Sequence, residues 1–370
     1  MSAKLTIVGK EKESVAQQSE FRPGLVTRSD GETLRYIEDK PLDLAAVGEF
    51  LKASEASNHW ANFGPVSRQI EAAIAKALNL DESLRVVMCA SGTAAMHGII
   101  NLHETLAEKD LRWVTSSFGY YSSIQGPLRN ADIVDCNDDG MLDLAELDPT
   151  SFDGMVVTNT FGQKKSMDKY LRYAAAHGKI LCVDAAMAFG SHQHGANECI
   201  SFHHTKPWGF GEGGCAIVAA EHENLFRSII CFGHEPGEEV NRRASNGKIS
   251  DVSCAFGMMR LQQMETLGSQ YREQYRRIAR IGRQVGLGIL SDVDEHPGIP
   301  ASVPFLTPLA LEDFKDPLVP TGRYYHPLTQ AEKAFDIYDR IVNVPCHPGM
   351  AKLTDLEIKK ALETFVSRCF

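Results

Sequence analysis

The sequence predicts an α/β fold in which a mostly parallel sheet of seven strands is flanked by helices on both faces. Between residues 62 and 220, segments rich in β-branched residues alternate with segments of amphipathic, helical periodicity. The 370 residues, 43% of them hydrophobic, are enough to bury a large core. We therefore expect one large α/β domain followed by a smaller second domain.

Predicted strands alternate with predicted helices along much of the large domain. The predicted strands are residues 85–90, 112–117, 131–136, 155–160, 179–184, 199–203 and 215–219. The predicted helices are residues 65–78, one that starts at Ser91, and residues 165–177. Consecutive strands joined by a helix run parallel, which is why a mostly parallel sheet is expected.

The segments on either side of this alternation complete the predicted organisation. The first sixty residues indicate an irregular arm with one helical stretch at 42–51, and a long helix at 251–286 leads out of the large domain. Strands or loops are expected at 287–320 and helices at 330–340 and 354–369, the last with a Thr354-x-x-Glu357 cap. We thus predict a large domain over 1–250 and a small domain over 251–370.

The composition excludes several classes of function. With 38 Lys and Arg against 48 Asp and Glu, the net charge of −10 gives no basic field for nucleic acid or an anionic membrane. No apolar run reaches the length of a membrane span. The nine cysteines are scattered without a CxxC pair, which indicates free thiols in a reducing compartment. A cytoplasmic protein is expected.

Two charged residues stand at the ends of predicted strands, 22 positions apart. Asp184 ends the strand in LCVDAAMAFG, and Lys206 follows the next strand in ISFHHTKPWGFGEGG. Open α/β sheets bind ligands where the carboxyl ends of their strands meet. This placement suits pyridoxal phosphate: the amine forms an imine with the cofactor aldehyde, and the carboxylate keeps the pyridine nitrogen protonated.

The surroundings of Asp184 argue against the simpler interpretation, a solvated surface ion pair of Asp184 with Lys206. Small apolar residues follow the aspartate. An unpaired carboxylate is costly in such surroundings and needs a positively charged partner. A protonated pyridine ring would supply that charge.

A possible phosphate site lies earlier in the chain. In CASGTAAMHGII, Ser91, Gly92 and Thr93 stand between a strand and a helix, where free backbone amides point at an anion. Ser201 adds a second hydroxyl five residues before Lys206. The alternatives, an ordinary helix cap and an ordinary strand serine, stay open for each segment taken alone.

Taken together, these segments resemble the DegT/StrS family of sugar-nucleotide aminotransferases, which are fold-type I pyridoxal phosphate enzymes. The resemblance covers nearly the whole chain. The matching segments, in family order, are NFGPVSRQIE, ASGTAAM, SSFGYYSS, VTNTFGQ, VDAAMAFG, SFHHTKPWGFGEGG, SNGKISDVSCAFG and VNVPCHPG.

The resemblance implies roles for individual residues. The catalytic residues would be Lys206, as the cofactor's Schiff-base lysine and acid/base, and Asp184, at the pyridine nitrogen. The further cofactor-binding residues would be Gly92, Thr93 and Ser201 at the phosphate, Tyr120 stacked on the ring, and Asn246 at the phosphate of the neighbouring subunit. A homodimer with shared active sites is therefore implied.

The implied reaction moves an amino group from glutamate to a nucleotide-linked keto-deoxy sugar. The NFGP, HxTK and GEGG segments are similar to a subgroup acting on dTDP-4-keto-6-deoxyhexoses, for amino-sugar, polysaccharide or glycoside biosynthesis, such as lipopolysaccharide O-antigen. One departure is Met187, where many relatives have a glutamine that bonds the ring oxygen. The alternative substrate is a keto cyclitol or another non-nucleotide ketone.

Two other functions compete with this one. A ligand-sensing regulator would bind the cofactor without catalysis, but we expect no DNA-binding module. Histidines could form a metal site, since His192 and His194 are one residue apart and His203 and His204 are adjacent. Because adjacent strand residues face opposite sides and we see no carboxylate or cysteine at a ligand spacing, no metal is predicted.

Overall fold

The computed structural model describes residues 25–27, 31–233, 239–292, 295–311 and 317–367. The strands are β1 (Leu25–Thr27), β2 (Thr33–Arg35), β3 (Leu84–Cys89), β4 (Trp113–Ser116), β5 (Asp132–Val134), β6 (Gly154–Thr158), β7 (Ile180–Asp184), β8 (Glu198–Ser201), β9 (Gly214–Ala219), β10 (Gly288–Ile289), β11 (Ser302–Leu306) and β12 (Ile341–Pro345). The α-helices are α1 (Leu44–Ser57), α2 (Pro65–Ala77), α3 (Gly92–Leu106), α4 (Asp168–His177), α5 (Glu223–Ile229), α6 (Asp251–Gln284), α7 (Glu332–Arg340) and α8 (Asp355–Ser367).

A seven-stranded sheet forms the centre of the protein, in the order β3-β9-β8-β7-β6-β4-β5. From β8 to β5 all neighbouring strands are parallel, whereas β9 runs antiparallel to both β8 and β3. The predicted mostly parallel sheet is confirmed. The parallel strands β6, β7 and β8 therefore present their carboxyl ends side by side.

Some element boundaries differ from the prediction. The irregular arm contains the antiparallel hairpin β1-β2, and β8 ends at Ser201, short of the expected residue 203. Helix α5 and strand β12 were not predicted. Each is too short, at seven and five residues, for periodicity to separate it from a loop. None of the described helices combines the length and the apolarity needed to cross a membrane.

The 34-residue helix α6 connects the central sheet region to the rest of the chain. Its first half packs on α1 and α2, and it also contacts β11 and α8. The antiparallel sheet β10-β11-β12 follows it. One buried apolar cluster includes side chains from both parts, such as Val66 and Phe305. The predicted division into 1–250 and 251–370 therefore stays a prediction.

A buried carboxylate fixes the start of α6 against the first two helices. Asp251 is 0% exposed and accepts hydrogen bonds from Ser54 Oγ at 2.6 Å and from the backbone amides of Val66 and Ser67, each at 3.0 Å. These amides belong to the first turn of α2, which has free N–H groups and a positive dipole end. A Cβ on Gly64 would lie 2.4 Å from Asp251 Oδ2, so only glycine fits there.

We expect Asp251→Asn to lower the free energy of unfolding by about 2 kcal/mol, because an amide leaves one buried N–H facing another donor. Urea denaturation of the purified protein measures the change. The control is Asp43→Asn, at the exposed N-cap of α1, where asparagine caps equally well and the change should stay within about 0.5 kcal/mol. Equal stability of the two variants would contradict the role given to Asp251.

Candidate functional site

Asp184 is buried at the carboxyl end of β7, with only 4% of its surface exposed. Its Oδ1 accepts hydrogen bonds from the Ala186 amide at 3.0 Å and the Cys199 thiol at 3.7 Å, and its Oδ2 from Thr158 Oγ1 at 3.5 Å. All three donors are neutral. Burial raises the pKa of Asp184, while the Ala186 amide and the charge of Lys206 oppose the rise. A further cation beside Asp184 would therefore stabilise the ionised carboxylate.

Lys206 is half-buried in the turn that follows β8, the strand next to β7. Its amide donates to the His203 carbonyl at 2.8 Å, and its carbonyl accepts from the Gly209 amide at 3.0 Å. Burial lowers the pKa of Lys206 to about 8, and the negative charge of Asp184 opposes this. The two predicted catalytic residues are thus within electrostatic range of each other, at the edge where the sequence placed them.

The start of α3 and the end of β8 approach each other closely. A Cβ on Gly92 would lie 3.1 Å from Ser201 Cβ, and one on Gly214 would lie 2.3 Å from the Gly92 nitrogen. Glycine at both positions lets the first turn of α3, which includes Thr93, pack closely against the end of β8 at Ser201. Ser91 caps the helix by accepting from the Ala94 amide at 3.0 Å. The structure therefore brings the predicted phosphate residues together.

Aromatic side chains enclose the region beside Asp184. Tyr120 follows β4 and is 57% exposed, so its ring is available for stacking. The buried Tyr325 contacts Phe161 at 4.9 Å between ring centroids, and the charge of Asp184 contributes, after burial, to its raised pKa. Phe161 and Tyr325 have φ angles of 54° and 61°. Such conformations are uncommon for bulky residues and cluster at functional sites.

Asn246 is exposed and lies in a loop that contacts the same chain next to the predicted phosphate residues. The Gly247 carbonyl accepts from the Ala90 amide at 2.7 Å, directly before Ser91. The Asn246 side chain accepts a hydrogen bond from Lys248 Nζ, and the Lys248 ammonium lies 4.1 Å from the centre of the Phe232 ring. The role expected for Asn246 at a partner's phosphate stays a prediction.

The glutamine position of the family is occupied by Met187, which sits in the turn after Asp184. Its carbonyl oxygen would lie 2.2 Å from a Cβ on Gly162. The backbone of this turn is therefore pressed against the turn that follows β6. This contact positions the main chain and does not supply the amide hydrogen bond that methionine lacks.

The expectation that no carboxylate accompanies His192 and His194 was wrong. Glu198 Oε2 lies 3.1 Å from His192 Nε2 and 2.7 Å from His194 Nδ1, and all three residues are buried. A six-residue separation between His192 and Glu198, through a loop, is not a ligand spacing that a sequence pattern reveals. Three such groups can in principle hold a metal ion.

The hydrogen bonds around His192 and His194 indicate which ring nitrogen of each histidine carries a proton. Asn159 Oδ1 accepts from the Lys164 amide, so its amide nitrogen donates to His192 Nδ1 at 3.1 Å. His194 Nε2 accepts from the Gly190 amide at 3.2 Å. Each ring therefore presents an N–H to Glu198, whose pKa is lowered because these hydrogen bonds outweigh its burial. Metal ligation needs lone pairs there, so we interpret the cluster as structural.

The other histidine pair lies nearer the candidate site but outside the sheet. His203 and His204 follow the end of β8, so the argument from opposite strand faces does not apply to them. Both are half-buried, and burial lowers the pKa of each. His203 Nδ1 contacts Thr205 Oγ1 at 2.9 Å within the Lys206 turn. Their position beside the Lys206 turn allows one of them to line the site.

Sequence reasoning missed Thr158, Cys199 and Lys40. Thr158 and Cys199 become neighbours of Asp184 only through strand pairing, Thr158↔Asp184 and Asp184↔Cys199. Their places at the ends of β6 and β8 could have indicated them. Lys40 belongs to a segment interpreted as an irregular arm, and no signal in its neighbourhood connects it to Lys206.

Sequence comparison matches residues 45–363 to the model of the DegT/DnrJ/EryC1/StrS aminotransferase family. Protein Rv3402c of Mycobacterium tuberculosis (strain ATCC 25618 / H37Rv) is 27% identical over 245 residues, 60% of this chain. The chain spans 57% of the length of that curated relative. A dTDP-4-amino-4,6-dideoxy-D-glucose transaminase of Shigella dysenteriae is 35% identical over 91 residues, 22% of this chain and 25% of that enzyme.

Several solved structures share the fold. A Bacillus cereus ATCC 10987 protein assigned as a PLP-dependent aminotransferase has a TM-score of 0.75 and 19% identity over 89% of this chain and 98% of its own. Helicobacter pylori PseC, an aminotransferase of pseudoaminic acid biosynthesis, gives 0.75 and 17%, over 90% and 98%. A 3-amino-5-hydroxybenzoic acid synthase gives 0.74 and 16%, over 90% and 98%. The predicted fold class is confirmed.

The reactivity of Lys206 should depend on pH in a defined way. Only the unprotonated amine reacts, so reductive methylation of Lys206 in cofactor-free protein should increase as the pH rises through about 8. Asp184→Asn removes the negative charge that keeps the pKa of Lys206 from falling further, so the midpoint of the methylation curve should move to lower pH. Mass spectrometry measures both, with the exposed Lys52 as the reference for the reagent. A midpoint near 10.4, as for an unburied lysine, would refute the assignment.

Proposed function

Because the chain belongs to the DegT/DnrJ/EryC1/StrS aminotransferase family, we propose that it is a pyridoxal-phosphate-dependent aminotransferase whose active site lies where β7 and β8 end. The family and its cofactor are confirmed as the sequence predicted. The observation that carries the proposal is the juxtaposition of two residues. Asp184 is a buried carboxylate whose hydrogen-bond donors in the described part of the chain are all neutral, and Lys206 lies within electrostatic range of it in the turn after the adjacent strand β8.

The residues at this edge fit the cofactor. Lys206 would bind its aldehyde, Asp184 its pyridine nitrogen, and the turn of Gly92 and Thr93 with Ser201 its phosphate. Glycines at 92 and 214 keep this cradle clear, since a Cβ on either would come within 3.1 Å or 2.3 Å of neighbouring atoms. When bound, pyridoxal phosphate carries the amino group and accepts electrons from the substrate carbon.

Lys206 and Asp184 divide the chemistry between them. Lys206 Nζ removes a proton from the α-carbon of the amino donor and later delivers one to the acceptor carbon that receives the amino group. A pKa lowered to about 8 keeps a useful fraction of the amine unprotonated near neutral pH. Asp184, buried and ionised once a cation lies against it, holds a proton on the pyridine nitrogen. Tyr120 would restrain the ring by stacking.

We propose glutamate as the amino donor and a nucleotide-linked 4-keto-6-deoxyhexose as the acceptor, for amino-sugar, polysaccharide or glycoside biosynthesis. The segments NFGPVSRQIE and SFHHTKPWGFGEGG support this, as does the partial similarity to the Shigella dTDP-sugar transaminase. On a chain of net charge −10, a diphosphate needs local cations. Arg243 is already paired with Asp110 at 2.8 Å, so Arg242 and Lys248 are the better candidates.

The second candidate acceptor is a keto cyclitol or another ketone without a nucleotide. The 3-amino-5-hydroxybenzoic acid synthase structure shares the fold at a TM-score of 0.74, so this fold accommodates products other than amino sugars. The exposed Arg242 and the half-buried Lys248 offer cations for a diphosphate, which favours the nucleotide sugar. The cytoplasmic location stays a prediction.

Substrate choice can be followed through the yellow absorbance of the bound cofactor. Glutamate should discharge the absorbance, and a dTDP- or UDP-linked 4-keto-6-deoxyhexose should restore it, because the amino group passes to the cofactor and then to the sugar. Lys206→Ala is the control and should lack both the yellow absorbance and turnover. Restoration by a free keto cyclitol alone would reject the nucleotide sugar and keep the aminotransferase.

We also propose a homodimer with shared active sites. Phe232, next to Lys248 and the Asn246 loop, is 56% exposed, and Tyr120 and Tyr121 are 57% and 41% exposed. Exposed aromatic rings beside a polar site are typical of a protein–protein interface. Contact there would cover these rings and bring Asn246 to the partner's cofactor phosphate.

Mixing two inactive variants tests the shared site. In a dimer of one Lys206→Ala and one Asn246→Ala subunit, one of the two sites holds both intact residues. Random pairing should therefore restore about a quarter of the wild-type activity, provided that subunits exchange. Light scattering should report at least twice the 40.8 kDa chain mass. An active monomer would contradict the proposal.

A further inference from the structure

The turn that carries Lys206 is bound by a lysine from far away in the chain. Lys40 Nζ donates hydrogen bonds to the carbonyls of His204 at 2.7 Å, of Lys206 at 2.5 Å and of Gly209. An ammonium group has three N–H donors, and here each of the three has a carbonyl acceptor. Lys40 therefore adds three hydrogen bonds to those that the turn forms within itself.

A second cation binds the same turn. Arg260 of α6 is 0% exposed, and its Nε donates to the Pro207 carbonyl at 2.7 Å. Its guanidinium forms an ion pair with Glu38, which also accepts from Tyr271 Oη at 2.6 Å. Glu38 stands two residues before Lys40, so this ion pair anchors the Lys40 segment to α6. Four carbonyls of the turn are thus held by two cations.

Three carbonyl acceptors around Nζ favour the protonated form of Lys40, which has three N–H donors. Burial and, next, the charge of Arg260 lower the pKa of Lys40 to about 7, while Glu38 opposes them. A neutral amine has only two N–H donors and would leave one of three converging carbonyls without a partner. Charge-assisted bonds to three carbonyls offset part of the cost of burying the ammonium.

We propose that Lys40 is a positioning residue for Lys206. It fixes the carbonyls on both sides of the lysine, including that of Lys206 itself, and so fixes the direction in which the Lys206 side chain leaves the turn. Placing a reacting amine within a fraction of an ångström matters for proton transfer. This kinetic consequence rests on the proposed aminotransferase function, whereas the restraint of the turn does not.

Amide hydrogen exchange of the cofactor-free protein tests the restraint without any assay of activity. Lys40→Met keeps the length of the side chain and removes its charge and donors. Exchange in peptides covering 203–211 should become at least about tenfold faster, because the amides of His204, Lys206 and Gly209 are hydrogen-bonded only while the turn is closed. Lys40→Arg restores a cation with several donors and should recover part of the protection.

Two comparisons separate a local effect from general destabilisation. Peptides of the strand pair β3 and β9, at one edge of the large sheet, should keep their exchange rates in Lys40→Met. Lys52→Met, which removes an exposed lysine paired with Glu49 at 2.6 Å, should change nothing. If Lys40→Met does not fold, Glu38→Gln weakens the same assembly and should accelerate exchange in 203–211. Unchanged exchange there, or equal acceleration in β3 and β9, would overturn the proposal.

Steady-state kinetics then distinguish a role of Lys40 in positioning Lys206 from a purely structural role in the turn. With the loaded enzyme and glutamate, Lys40→Met should lower kcat about tenfold or more and leave KM within about threefold, because a misplaced Lys206 slows proton transfer and not donor binding. Lys40→Arg should regain part of kcat. Fast exchange in 203–211 with normal kcat would reject the positioning role. A wild-type enzyme inactive with every amino donor would instead reject the proposed function and leave the exchange result standing.

Discussion

The burial of the Asp184 carboxylate is the constraint on which the candidate site depends. Asp184 ends β7 between the neighbouring strands β6 and β8, and its donors are a backbone amide, a hydroxyl and a thiol. Neutral donors reduce the cost of burying a charge but do not remove it, so the pKa of Asp184 is raised. A protonated ring nitrogen placed against it would stabilise the charged form.

The turn that brings Lys206 near Asp184 has several carbonyl groups that need hydrogen-bond donors, and two other cations supply them. The Lys206 turn has carbonyl groups that converge on one side, and they are bound by Lys40 and Arg260. These cations come from the N-terminal segment and from α6, regions far apart in sequence that both contact the turn. Glu38 joins them through its ion pair with Arg260. We therefore infer that the placement of Lys206 depends on residues outside the proposed chemistry.

The cluster of His192, His194 and Glu198 shows why residue type alone does not define a metal site. The fixed amide of Asn159 and the Gly190 amide occupy the outer nitrogens, so both rings turn their N–H groups toward Glu198. These hydrogen bonds tie the loop after Asp184 to the start of β8 and the end of β6. The cluster supports the strand ends that form the candidate site.

Sequence alone was sufficient to predict the alternation of strands and helices, the family and its cofactor, because each depends on local patterning or on contiguous motifs. It also selected Asp184 and Lys206 as candidates, whose roles stay a prediction. Tertiary structure decided the direction of β9. Because β9 is buried like the strands β7 and β8, its apolar run does not reveal that it is antiparallel. Tertiary structure also decided the neighbours of Asp184, the protons of the histidine cluster and the partners of Lys40. These are contacts between side chains and backbone groups distant in sequence, and they exist only once strand order and helix packing bring them together.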